Sequence, residues 1–199
     1  MKVENESVSK IDGRRRRTLD SRARIVAAML ELAQQGTLSA RAEKVAERAN
    51  VGLRTVFRHF KDMDSLYREM SLTIERRLRE EISLEFSSPH WRGRLGEMIQ
   101  RRASLFERIA PFKRAEAAHR NESRWLEQDI ARVNFMAREV LKVVVPGSVV
   151  ADETLFEALD AVLGFEMWDR LRREQGLSLP RTIEVLRLVS ERLLAGVED

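Results

Sequence analysis

Apolar residues recur at steps of three and four along nearly the whole chain, while glycine and proline are confined to a few joints. No run alternates apolar and polar residues between hairpin turns. That periodicity predicts an all-α protein of about nine helices. A chain of 199 residues is long enough to bury its own core.

Cysteine is absent, and His59, His90 and His119 are far apart in sequence, so neither a structural metal site nor a thiol nucleophile is expected, and no cofactor. Positions 1–19 lack an apolar signal-like core, and no segment approaches the ~18 to 20 uninterrupted apolar residues of a membrane span. A cytoplasmic protein without membrane contact is expected.

The charge is uneven. The chain carries a formal +4, yet residues 1–65 hold 14 Lys and Arg against 9 Asp and Glu, whereas residues 66–199 hold 22 against 23. A positive field at one end points to a polyanionic partner for that end; a merely charged tail is the plainer reading of the same numbers.

Residues 1–19, few of them apolar and including Arg14, Arg15, Arg16 and Arg17, read as a flexible basic N-terminal arm. Asp20 or Ser21 then offers a cap for a first helix whose stripe, Ile25, Val26, Met29, Leu30, Leu32 and Ala33, stops near Gly36. A second helix is predicted over about 41–49 and a third over 53–59. From Met63 to Phe86 apolar residues fall at steps of four, which drifts around a helix by ~40° per step, so this fourth helix is expected to connect two domains. The expected boundaries are a small domain over 20–66 and a larger domain over 67–199. Further helices are predicted over about 90–109, 111–120, 123–145, 152–175 and 180–197, with Pro89, Pro111, Pro146-Gly147 and Gly176 to Pro180 as joints.

The stretch VAERANVGLRTVFRHF, from Val45 to Phe60, joins two short helical patterns through Asn-Val-Gly. Val45, Ala46 and Ala49 on one helix and Val51, Val56 and Phe60 on the other supply the small core of a helix-turn-helix, whose second helix fits a major groove. Asn50 tolerates the left-handed conformation that the turn needs, and Gly52 leaves the next helix open to close approach. Arg54, Thr55 and Arg58 offer donors to bases or phosphates, Phe57 an apolar face for a thymine methyl, and His59 and Lys61 a reach to phosphates. A solvated cationic face is the competing reading. The turn chemistry, the two-helix core and the four arginines together favour double-stranded DNA as partner.

Residues from about Ser21 to Tyr67 resemble the N-terminal DNA-binding domain of the TetR/AcrR family of bacterial transcriptional regulators. The resemblance lies in SRARIVAAMLELAQQG, VAERANVGLRTVFRHF and KDMDSLYREM. It implies a homodimer that reads a palindromic or near-palindromic operator, usually to repress transcription. By position in the family motif, Gly52, Leu53, Arg54, Thr55, Phe57 and His59 match DNA-facing residues, Lys61 a phosphate contact at the start of the fourth helix, and Arg41 a further phosphate contact. Phe57 stands where the family usually has tyrosine, which removes a phenolic hydroxyl.

In the last helix Ile183, Leu186, Ser190, Leu193 and Val197 follow a heptad-like seam, and the helix before it carries Phe165 and Trp168. Two consecutive helices with this much apolar surface suggest a partner subunit, against the alternative of packing within one subunit. The family resemblance implies a dimeric four-helix bundle made by the last two helices. It also implies an enclosed small-molecule inducer. Met98, Phe106, Phe112, Trp125, Phe135, Met136, Phe165 and Trp168 would line a pocket for a small apolar or aromatic ligand, although such side chains also build ordinary cores. Glu116, His119, Asn134 and Glu166 are polar candidates for orienting it. No catalytic constellation, phosphate loop, HExxH or GxSxG is found, so an enzyme is not expected. An architectural DNA-binding protein of the same fold, without ligand control, is the alternative to a ligand-responsive repressor.

Overall fold

The computed structural model describes the backbone of residues 3–37, 40–82, 85–121 and 123–198, and the side chains of 18–37, 40–76, 85–121 and 123–198. The order is α1 Val3–Gln34, α2 Ala42–Arg48, α3 Leu53–His59, α4 Met63–Ile82, α5 Trp91–His119, α6 Arg124–Val144, α7 Gly147–Ala151, α8 Glu153–Val162, α9 Phe165–Asp169, a π-helix Arg170–Glu174, and α10 Leu179–Leu193. Among the described residues there are thus ten α-helices and no strand.

The chain divides into two compact units. The first comprises Met1–Arg79 and Pro111–Glu127, the second Glu80–Ala110 and Gln128–Asp199. The division differs from the expected boundary at 66/67: most of α4 and the part of α5 from Pro111 onward belong with the head.

In the head, Ile25, Met29, Leu32 and Ala33 of α1 are buried along with Val45 and Ala46 of α2, Val56 of α3, and Leu66 and Met70 of α4. Helix α1 ends where expected. Gly36 takes φ +78, and the amides of Gly36 and Thr37 turn back to the carbonyls of Ala33 and Leu32 at 2.9 and 3.0 Å. Its start is a correction. Helical backbone begins at Val3 rather than at Asp20 or Ser21, so the basic stretch continues the helix. Lys, Glu and Arg are good helix formers, and low hydrophobicity alone does not stop a helix that packing has already nucleated downstream. The side chains of Arg14, Arg15, Arg16 and Arg17 lie outside the described residues.

The second unit is built on Trp91, Leu95, Met98 and Ile99 of α5, Leu141 and Val144 of α6, Phe156 and Leu159 of α8, Trp168 of α9, and Leu186 of α10. Three joints differ from expectation. Pro111 lies inside α5 instead of separating two helices. A proline removes one helical hydrogen bond, but burial of its neighbours Ala110 and Phe112 keeps the helix in register on either side. The predicted helix over 152–175 is broken at Leu163-Gly164, where Gly164 takes extended backbone with ψ 162° and begins α9. The short α7 was not foreseen; it follows Pro146, which has no amide to donate and so fits the start of a helix. The ends of α4 and α10 also fall short of those predicted, and Phe86, beyond α4, packs on the core of the second unit.

The approach to α5 is held by Glu97, whose carboxylate accepts the amides of Ser87 and Ser88 at 2.9 and 2.7 Å. A side chain at Gly93 would collide with this turn, since a Cβ there would lie 2.0 Å from Ser88 Oγ and 2.6 Å from Ser88 Cβ. Gly93→Ala is therefore expected to lower unfolding stability by about 1–3 kcal/mol, measurable by urea denaturation. A wild-type midpoint would show that the turn yields freely.

Candidate nucleic-acid interface

The turn between α2 and α3 forms as its sequence dictates. Asn50 is the one non-glycine residue with positive φ among the described residues, at 51°. The amides of Asn50 and Val51 fold back to the carbonyls of Glu47 and Ala46, each at 3.0 Å, and close the end of α2. Gly52 caps α3 with extended backbone, its carbonyl accepting the Thr55 amide at 2.7 Å.

Burial of Val56 and Phe60 then fixes which side of α3 faces out. Gly52, Leu53, Arg54, Phe57 and Arg58 are exposed, and Thr55 and His59 are half-buried. Phe57 leaves 48% of its surface in solvent, a large aromatic outlay for a helix with only seven residues. Arg41 at the start of α2 and Lys61 just before α4 are also exposed. At the α4 start Asp62 and Ser65 cap reciprocally, Asp62 Oδ1 accepting the Ser65 amide at 2.8 Å and Ser65 Oγ the Asp62 amide at 3.4 Å.

The cations of this face are uncommitted. Arg41, Arg54, Arg58 and Lys61 have no ion pair or hydrogen bond among the described residues, whereas most other arginines of the head are engaged. His59 differs. Burial, and then the charges of Arg58 and Arg22, hold its pKa below the ordinary 6.5, so the ring is neutral at neutral pH and adds no cation.

Sequence reasoning missed Arg22. From α1 its guanidinium donates to the His59 carbonyl at 3.0 Å and to Glu69 of α4 at 2.7 Å, and it lies over the Phe60 ring at 4.4 Å. One side chain thus ties the last residue of α3 to α1 and α4. Its only trace in the sequence is a basic residue one helical turn before the buried Ile25 and Val26. On the same head, Arg48 bonds Gln35 and approaches Glu31 at 3.8 Å, fastening α2 to α1.

The result is an exposed cationic helix, without ion pairs among the described residues, set on a small two-helix core. The model of bacterial regulatory proteins of the tetR family matches residues 25–70, which span this head. The likeness to that family covers this head, and the rest of the chain lies outside it.

Two solved structures share its fold. A transcriptional regulator from Rhodococcus sp. Rha1 matches with a TM-score of 0.63 and 18% identity, over 88% of this chain and 96% of the other. A TetR transcriptional regulator from Rhodococcus sp. RHA1 matches with a TM-score of 0.52 and 18% identity, over 90% and 99%. No curated protein matches the chain. No helix among the described residues is long and apolar enough to cross a membrane.

The remaining site residues fall differently from expectation. Phe112 and Trp125 belong to the head unit, where Trp125 lies under the Arg68 guanidinium at 5.3 Å. Met98 and Trp168 are core residues of the second unit, Phe106 and Phe165 pack partly buried against that core, and Phe135 and Met136 are exposed on α6. The eight are therefore not gathered around one cavity within either unit. Of the polar candidates, Glu116 accepts from Ser71 Oγ at 3.0 Å and pairs with Lys113 at 3.6 Å inside the head, His119 stacks near Tyr67 with ring centroids 5.2 Å apart, and Asn134 and Glu166 are exposed.

The heptad seam is corrected. Leu186 and Ser190 are only 4% and 1% exposed within the subunit, and Ser190 Oγ donates to the Leu186 carbonyl at 2.8 Å. Ile183 and Val197 pack on the same core, Leu193 is half-buried, and Trp168 is buried. Apolar spacing records that a face is covered, not whether its own subunit or another covers it. The apolar residues that α10 leaves in solvent are Leu188 and Val189.

Two outcomes follow for the head. Arg22→Met, which keeps the aliphatic stem, is expected to cost about 1–2 kcal/mol of head stability and to weaken specific DNA binding; thermal melting and fluorescence anisotropy read the two effects. Because the folded head lowers the His59 pKa, its contribution to stability is complete above the unfolded value of 6.5 and is lost as pH falls below it. His59→Asn is thus expected to flatten the fall in melting temperature between about pH 7 and about pH 5.5. An unchanged pH slope would assign the fall to other groups.

Proposed function

We propose that the chain is a ligand-responsive repressor that binds a palindromic operator as a homodimer. The observation that carries the reading is the α3 face itself: Arg54, Phe57 and Arg58 are all exposed, and neither arginine has an ion pair or hydrogen bond among the described residues. Arginine in that position reads guanine edges or holds phosphates, and an apolar ring suits a thymine methyl. Arg41 and Lys61 are the phosphate contacts that set the register of the head on the duplex, and Gly52, Leu53 and Thr55 allow close approach at the start of α3.

Dimerisation is supported by what α10 leaves uncovered. Leu188 and Val189 lie one residue apart on the solvent side, with the half-buried Val185 one turn earlier, and Met167 of α9 is also exposed. A twofold pairing through this face would bury them and give two heads for two half-sites. In this reading a small aromatic ligand in the second unit favours a dimer whose head separation no longer matches successive major grooves. A differential affinity of a few kcal/mol between the two states is enough for such control.

Fluorescence anisotropy on the intergenic DNA upstream of the coding region, at two salt concentrations and with unrelated duplex as competitor, tests the proposal. Competitor-resistant binding is expected. Arg54→Ala or Arg58→Ala should cost about 1–3 kcal/mol and relax the sequence preference, while Lys61→Ala should weaken all duplexes alike and reduce the salt slope by about one. Binding no tighter than to competitor, lost as salt rises, would favour an architectural protein over a repressor.

A further inference from the structure

One cation in the second unit is enclosed without an anion. Arg102 of α5 is half-buried, and its guanidinium donates to two neutral acceptors: the Ala137 carbonyl of α6 at 2.6 Å and the Leu163 carbonyl at 3.4 Å. No carboxylate lies within ion-pair distance among the described residues. Asp160, whose charge reaches it, is engaged by Arg138 at 2.8 Å. Burial pulls the Arg102 guanidinium below the ordinary arginine value, an effect that the Asp160 charge only partly offsets. A guanidinium has five N–H donors, so these two bonds leave it under-used.

A second donor nearby is orphaned. Trp168 is 2% exposed, and its indole N–H is buried with no hydrogen-bond partner among the described residues. Leaving such a group unpaired costs stability unless something else completes it. The two donors share one place in the fold. Phe106 follows Arg102 by one helical turn on α5, and its ring lies 5.8 Å from Trp168 and 5.5 Å from Phe165. Phe165 lies two residues after Leu163, whose carbonyl Arg102 holds, and 5.7 Å from Trp168.

We propose that Arg102 and the Trp168 indole N–H are the donors of a binding site for a small aromatic carboxylate, whose ring packs against the Phe106, Phe165 and Trp168 cluster. The proposal rests on reading the second unit as ligand-responsive, and it names the class of ligand. A carboxylate satisfies the cation that the fold has left with neutral partners, and it accepts from the orphaned indole. An aromatic body suits the site because Phe106 and Phe165 surround Trp168, and rings stack in offset or edge-on arrangements. Phe165 is only half-buried and follows Gly164, so it is the wall that yields to admit the ligand.

Occupation of the site changes the structure around it. The Leu163 carbonyl lies at the end of α8, where the break before α9 leaves it outside either helix. Arg102 joins that end and α6 to α5. A carboxylate that takes the guanidinium releases these carbonyls, so binding loosens α8 and α6 from α5.

Calorimetric titration of the full chain, without DNA, with benzoate, phenylacetate and 1-naphthoate, each against its primary amide, tests the proposal. At least one carboxylate is expected to bind about tenfold or more tightly than its amide, the preference a charge-assisted pair supplies. Arg102→Met should remove that preference, and Trp168→Phe should weaken carboxylate binding several-fold. No preference for any carboxylate on the unsubstituted protein overturns the proposal, as does a folded Arg102→Met variant that keeps it. The same compounds added to the DNA complex separate the two readings. Carboxylate binding that leaves DNA bound supports this site and removes the ligand-responsive function; a neutral compound that releases DNA, with no carboxylate bound, does the reverse.

Discussion

A seven-residue helix does not hold its shape in water, because the cost of its first turn outweighs the few hydrogen bonds that follow. Everything the exposed side of α3 presents therefore depends on what fixes its buried side. Val56 and Phe60 supply the apolar anchor, Asn50 the only left-handed corner that lets α2 and α3 meet, and Arg22 the polar tie. The last is economical in residues: one guanidinium satisfies the end of α3, pairs with α4 and covers the Phe60 ring. Rigidity on the inner face is what allows Arg54, Phe57 and Arg58 to stand in solvent without partners and still point in one direction.

The second unit uses an arginine differently. In the head, Arg22 answers a carboxylate; in the second unit, Arg102 answers two carbonyls and is left with donors to spare. The Leu163-Gly164 break matters here because it frees a carbonyl for Arg102 and starts α9 on a glycine, next to the Phe106, Phe165 and Trp168 rings. The same break turns Trp168 into the core with its indole N–H unanswered.

Legibility followed the range of the interaction. The α2 and α3 spans, the Asn50 corner and the Gly36 stop were readable because each is set within about one helical turn by steric rules that the residue types carry. Pro111 and Gly164 reversed their usual meanings. The proline was absorbed into a helix whose neighbours are buried, and the glycine, passed over amid apolar residues, broke one. The α10 seam was read as a dimer contact because Ile183, Leu186 and Ser190 do form a stripe; the subunit's own core covers it. Arg22 was invisible for the same reason, since its partners at 59 and 69 are remote in sequence.

The sequence by itself determined the helical class, the helix-turn-helix and the identity of its outward cations, because periodicity, turn sterics and charge are properties of neighbouring residues. Tertiary structure alone decided which apolar stripes face inward, that Glu116 is held inside the head by Ser71 and Lys113, and that Arg102 has no carboxylate in ion-pair contact among the described residues. Those outcomes depend on which helices meet, and a side chain's partner across 35 or 61 residues, as for Arg102, is fixed by packing rather than by local preference.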